Sequence, residues 1–124
     1  MKRLESQEDY LEKILQISQK KEDVHAIDIA REMNFSRPSV SVTVHNLENE
    51  HYIKITENGN ITLEEKGREI AERIYERHRV LTAVLTNIGV PEEIAENDAC
   101  KMEHVISEET FNCIKKHVEE EHCL

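Results

Sequence analysis

No run of apolar residues in this chain approaches the roughly 18 that a membrane-spanning helix requires, and the charged N-terminus, Met1-Lys2-Arg3-Leu4-Glu5, does not resemble a secretion signal. The chain is therefore read as cytoplasmic. Tryptophan is absent and phenylalanine and tyrosine number only two and three, which excludes a core built from large rings and points to helices with narrow apolar stripes and wide wet faces. Cysteine is scarce as well. Cys100, Cys113 and Cys123 form an odd set without CxxC spacing, which speaks against both a secreted disulfide scaffold and a zinc ribbon, so reduced thiols are expected. Positive charge is outnumbered: 16 Lys and Arg face 26 Asp and Glu, for a formal net charge of −10. At first sight that opposes nucleic-acid binding, which needs clustered Lys and Arg to neutralise phosphates. A chain of 124 residues makes one typical domain or two small ones.

What is there begins with helical periodicity. Tyr10, Leu11, Ile14 and Leu15 repeat at a helical spacing with Ser6 as a candidate N-cap, and Gln19 to Asp23 is a polar break. Ala26, Ile27, Ile29, Ala30 and Met33 predict a short second helix, followed by a tight turn at Asn34-Phe35-Ser36. Ser36 then caps a third helix with Pro38 in its first turn and with Val40, Val44 and Leu47 inward. Its other face carries Arg37, Ser39, Ser41, Val42, Thr43 and His45, and no acidic residue occurs from Phe35 to Leu47. In so acidic a chain that gap suits approach to a phosphate backbone and a major groove. Tyr52 to Ile55 and Ile61 to Leu63 alternate like strands around Asn58-Gly59, a strong hairpin turn signal. Helix, short helix, turn, helix and a two-stranded ribbon is the order of a winged helix-turn-helix.

The last third is read as helical. Thr62 to Glu65 is taken as a capping box, and Ile70, Ile74, Leu81, Val84, Leu85 and Ile88 sustain one long helix until Gly89. Pro91 is expected to start the next helix, with Ile94, Met102, Val105 and Ile106 as its apolar contacts, and Ser107 to cap a final helix carrying Phe111, Ile114 and Val118. The polar tail from Glu119 to Leu124 is expected to fray. So little apolar material makes a poor isolated core, and a two-fold homodimer is the natural remedy. The fold class expected is mainly α, with a winged helix-turn-helix DNA-binding domain over residues 1–66 and a helical metal-binding and dimerisation domain over residues 67–124.

One stretch carries coordination chemistry. Cys100, Glu103 and His104 place a thiol, a carboxylate and an imidazole at relative positions 0, 3 and 4, which share one face of a helix. Such donors suit a divalent transition metal and suit calcium or magnesium poorly. By themselves the same residues also fit a solvated helix face with one small buried thiol. Asp9 and Glu12 stand one turn apart, yet Asp9 three residues after Ser6 equally fits a capping box, and His78 beside the apolar stripe equally fits a packing residue.

Taken together, these segments resemble the diphtheria toxin repressor and manganese transport regulator family of metal-dependent repressors. The resemblance rests on Glu8-Asp9-Tyr10-Leu11-Glu12, Ser36-Arg37-Pro38-Ser39-Val40-Ser41, Leu63 to Gly67, Arg77-His78-Arg79, and Asn97 to His104 with Ser107. It implies a metal site formed by Asp9, Glu12, His78, Cys100, Glu103 and His104. The acidic pair Asp9 and Glu12 looks like the manganese branch and Cys100 like the iron branch. The thiolate favours Fe(II), the carboxylates admit Mn(II), and Co(II), Ni(II) or Zn(II) would act as substitutes. Longer relatives continue into a small β-barrel domain. The partners implied are double-stranded DNA with a palindromic operator and a second copy of the chain. Ser36, Arg37, Pro38, Ser39, Ser41, Val42, Thr43 and the wing residue Lys54 are the candidate DNA contacts, with Arg37 and Lys54 for phosphates and Ser36, Ser39 and Val42 for the groove. The competing readings are a winged-helix regulator that answers to a small organic ligand, and, more remotely, a zinc hydrolase, which lacks an additional general base or Gly-rich loop to support it.

Overall fold

Tyr10, Leu11, Ile14, Leu15 and Ile17 recur at helical spacing and are all buried, so they form the inner stripe of α1, Lys2–Ser18. Residues 2–121 are described by the computed structural model, with side chains from residue 7 onward. Cys123 and the end of the polar tail lie outside the described residues. The chain divides into two compact units, Met1–Glu72 and Arg73–Leu124, and the division falls within a helix. That helix is α4, Glu65–Asn87, whose first turn contains the limit at residue 66 anticipated from the sequence.

In the first unit, α1 begins at Lys2, because Arg3, Leu4 and Glu5 are good helix formers that carry it back past Ser6. Ser6 thus lies inside the helix, which corrects its reading as the N-cap. Next come α2, Ala26–Met33, and α3, Arg37–Asn49. Asn34 closes α2 in the left-handed conformation at φ 58, with the N–H of Phe35 reaching back to Ala30 O at 3.0 Å. The Ser36 side chain accepts from Ser39 N at 3.3 Å, so the expected cap of α3 is present. Val40, Val44 and Leu47 are its buried side, and full burial of each such side chain contributes about 2 kcal/mol. β1, Ile53–Ile55, pairs antiparallel with β2, Ile61–Leu63, in the register Ile53↔Leu63. Gly59 turns the hairpin at φ +86, a conformation side chains disfavour. The wing is tied down at its base, since Ile61 N donates to Val24 O at 2.7 Å and Val24 N donates to Asn60 Oδ1 at 2.9 Å.

Thr62 belongs to β2 opposite Lys54, and α4 starts only at Glu65, so the two do not form the expected capping box. The strand's ladder takes Thr62 before the helix can use it. Gly67 explains the close start of α4: a Cβ there would lie 2.1 Å from Tyr52 O, so only glycine lets the helix pass the first unit's ribbon.

In the second unit, the later part of α4 is followed by α5, Glu92–Met102, and α6, Glu108–Glu120. Gly89 ends the α4 turn at φ +105 as expected. Val80, Phe111 and Val118 form a core joined by Ala83, Val84, Ile106 and Ile114, and Ser107 caps α6 by accepting from Thr110 N at 3.1 Å. α5 departs from expectation. Its buried positions are Ala95 and Ala99, whereas Ile94 and Val105 are 51% and 62% exposed. Small side chains let a helix pack closely through its backbone, and the larger apolar residues are left outward. Among the described residues, no helix is long and apolar enough to cross a membrane.

Candidate metal centre and DNA-reading face

Glu103 is wholly buried, an expensive position for a carboxylate unless charge and hydrogen bonds meet it. His78 Nδ1 stands 2.8 Å from Glu103 Oε1, and His104 Nε2 stands 3.5 Å from Glu103 Oε2. An ionised carboxylate only accepts, so facing an ionised Glu103 the donor of the short contact is His78 Nδ1–H, and a neutral imidazole in that tautomer carries its lone pair on Nε2. An imidazole held in this way by a carboxylate is the arrangement that orients a histidine toward a metal. The side chains of His78 and His104 are 19% and 4% exposed, so the cluster is shielded from bulk water. A carboxylate and imidazoles in a dry setting fit a divalent transition metal.

The helix carrying this pair ends earlier than the sequence suggested. α5 stops at Met102, Glu103 is its C-cap in right-handed helical geometry, and His104 begins the turn beyond. Cys100 sits within the helix with an exposed thiol, one turn before the buried Glu103. The second unit brings the side chains of His78, Glu103 and His104 together, at 2.8 and 3.5 Å.

Asp9 and Glu12 occupy successive turns of α1 in the first unit. Glu12 is buried and its Oε2 accepts from Gln16 Nε2 at 3.2 Å, while Asp9 is half-buried. With α1 beginning at Lys2, a capping box no longer accounts for Asp9.

On α3, Arg37, Pro38, Ser39, Ser41 and Val42 are exposed beside the cap residue Ser36, and Thr43 is half-buried. Val42 is 62% exposed, an apolar side chain in water beside the hydroxyls of Ser39 and Ser41 and the charge of Arg37. Thr43 Oγ1 donates to Ser39 O at 3.2 Å and His45 Nδ1 donates to Ser41 O at 2.7 Å, so these two polar groups are turned back on their own helix. Lys54 is exposed on β1.

Arg77 was not singled out for a role by sequence reasoning. It is buried, donating from Nη1 to Glu103 O at 3.2 Å and to Ile106 O at 3.0 Å, and from Nη2 to Glu108 Oε2 at 3.1 Å. The available signal was its position: three residues after Ile74 and four before Leu81, it interrupts the apolar stripe of α4 with a charge.

A winged helix-turn-helix followed by a helical unit with a buried carboxylate and imidazole cluster defines a class of metal-responsive regulators by architecture. The chain belongs to the iron-dependent repressor family: residues 3–60 match its N-terminal DNA-binding domain and residues 64–123 its metal-binding and dimerisation domain. It is 32% identical over 113 residues to an HTH-type transcriptional regulator of Methanocaldococcus jannaschii, covering 90% of each chain. It is 33% identical over 102 residues to the HTH-type transcriptional regulator MntR of Bacillus subtilis, covering 82% of this chain and 72% of that one. The crystal structure of T. acidophilum IdeR superposes with a TM-score of 0.82 at 28% identity over 90% of this chain. The present chain covers 53% of that solved protein, about half its length.

Proposed function

We propose that the chain is a metal-dependent DNA-binding transcriptional repressor that acts as a homodimer in the cytoplasm and controls genes of metal homeostasis. The observation that carries this reading is the buried Glu103 carboxylate held between His78 and His104, a costly arrangement that a cation would repay in affinity. Asp9, Glu12, His78, Cys100, Glu103 and His104 are the ligands that this reading assigns to the ion. Relatives named as an iron-dependent repressor, IdeR, and as a manganese regulator, SloR, support a divalent ion of the manganese and iron type. Fe(II) is the favoured ion, because the Cys100 sulfur softens the set, and Mn(II) is the alternative.

Bound there, a dication supplies the positive charge that lets several carboxylates share one place. Asp9 and Glu12 belong to α1 of the DNA-binding unit, and Glu103 and His104 to the other unit. Holding one ion jointly, these residues tie α1 to the dimerising module and fix the separation of two recognition helices, to match successive major grooves of a palindromic operator. Arg37 and Lys54 contact phosphates. Ser36, Ser39 and Val42 face the bases, with Pro38, Ser41 and Thr43 alongside, and the lack of acid on this stretch of α3 removes the repulsion that the net charge of −10 would otherwise impose. The reading assigns no catalytic role: a metal held for tethering leaves no need for a general base.

Asp9→Ala leaves folding intact and abolishes the metal-dependent rise in DNA binding, measured by anaerobic gel shift with Fe(II), Mn(II) and Zn(II) on a duplex selected by the loaded wild-type protein. Operator binding by Asp9→Ala that still rises normally with metal overturns the tethering mechanism.

A further inference from the structure

Two consecutive residues of α4 grip Glu103 at opposite ends. His78 bonds its carboxylate at 2.8 Å, and the Arg77 guanidinium bonds its main-chain carbonyl at 3.2 Å. The same guanidinium nitrogen donates to Ile106 O at 3.0 Å, so one group holds the first and last carbonyls of the segment from Glu103 to Ile106, and His104 lies between them. Carbonyls at a helix C-terminus lack partners inside the helix, and here a charged donor from another element supplies them. Nη2 extends the clamp to Glu108 in the first turn of α6, and the Phe111 ring lies 5.2 Å from the guanidinium carbon. Arg77 thereby joins α4, the end of α5 and the start of α6 in one fixed arrangement.

The geometry points to Arg77 as a positioning residue for the metal centre. It ligates nothing itself but locks the turn that presents the Glu103 carboxylate and the His104 imidazole to a cation. The rest of that turn is held by local bonds, Val105 N to Met102 O at 3.1 Å and Ile106 N to Met102 O at 3.2 Å, which set its shape but not its place against α4. Only a forked donor reaches two carbonyls and a carboxylate together. A lysine keeps the charge but offers a single nitrogen, so Arg77→Lys separates the fork from the charge.

This inference rests on the metal site proposed above. The test titrates full-length, chelator-treated protein with Mn(II) by calorimetry and with Co(II) by visible absorption, comparing wild type, Arg77→Lys, Arg77→Met and Glu108→Gln. Supporting residues around metal ligands commonly change affinity 10–100-fold, so Arg77→Lys is expected to weaken both ions about tenfold or more and to alter the Co(II) band shape. Glu108 is 67% exposed in its side chain, so Glu108→Gln is expected to bind close to wild type. Wild-type affinity and band shape in Arg77→Lys overturn the role, even where its melting temperature falls, because a merely structural arginine would lower stability alone. An equal loss in Glu108→Gln also overturns it, since the carbonyl clamp would then not be the cause. If Arg77→Met fails to fold, Arg77→Lys carries the comparison. Wild-type protein that binds neither ion refutes the metal site itself, an outcome separate from equal binding by wild type and Arg77→Lys.

Discussion

The two units put their chemistry in opposite places. In the first, the candidate DNA contacts Arg37, Pro38, Ser39, Ser41 and Val42 are exposed on α3 while the buried side of that helix is plain Val40, Val44 and Leu47. In the second, two of the candidate ligands are interior although Cys100 is exposed: Glu103 is wholly buried, His104 is 4% exposed in its side chain, and Arg77 is buried beside them. A surface that reads a polymer can vary without disturbing its scaffold, whereas an interior polar cluster is part of the scaffold it sits in. Substitutions in the first unit should therefore separate stability from function cleanly, and those around Glu103 should not.

The strongest expected break in the first unit is Gly67→Ala. The added Cβ would lie 2.1 Å from Tyr52 O, a backbone atom that cannot swing aside. A loss of about 3 kcal/mol is expected from such overpacking, seen as early thermal unfolding followed by circular dichroism. A Gly67→Ala protein that melts with the wild type would show that α4 can shift away from the ribbon at little cost.

Val42→Asp sharpens the contrast from the other side. Val42 is 62% exposed, so the change in stability should stay within about 0.5 kcal/mol, as for most surface substitutions. The new carboxylate enters the stretch from Phe35 to Leu47 that holds no acid, and duplex affinity in fluorescence anisotropy at low salt should fall about tenfold. Unchanged duplex affinity would place the reading face elsewhere on the first unit.

The same division governs how much was legible beforehand. The first unit's elements follow from local signals: the Ser36 cap, Pro38, the Asn58-Gly59 turn and the apolar spacing of α2 and α3 are each visible within a few residues. Where local signals competed, the reading failed. Thr62 and Glu65 have capping-box spacing, but pairing with Lys54 claims Thr62 for β2. In the second unit, Glu103 and His104 were legible as donors, but the helix end at Met102 was not, because Glu103 keeps helical dihedrals without continuing the helix. Ala95 and Ala99 were overlooked as the buried positions of α5, since spacing of large apolar residues favours Ile94. Arg77 contacts residues 26 to 31 positions later, a partnership that no periodicity encodes.

The smallest effect expected lies near the base of the wing, at Asp28, one of the first unit's buried charges beside Glu8 and Glu12. Asp28 is 9% exposed; its Oδ1 lies 2.9 Å from Lys21 Nζ and its Oδ2 accepts from His25 N at 2.9 Å. Burial raises its pKa, but the hydrogen bonds from Lys21 and the His25 backbone, with the charges of Lys21 and His25, outweigh that and hold the carboxyl below its usual value. A folded-state pKa below the unfolded one means stabilisation that is complete above the unfolded value near 4 and is lost as pH falls through the folded value. Lys21 is half exposed, so solvent screening limits the gain to about 1 kcal/mol. Asp28→Asn should therefore lose less stability than wild type when the pH is lowered below about 4, and be the less stable protein at neutral pH. Hydrogen exchange at the Ile61 amide, bonded to Val24 O at 2.7 Å, reports this region directly. Equal pH dependence in the two proteins would mean that Asp28 is no better held than an exposed carboxylate.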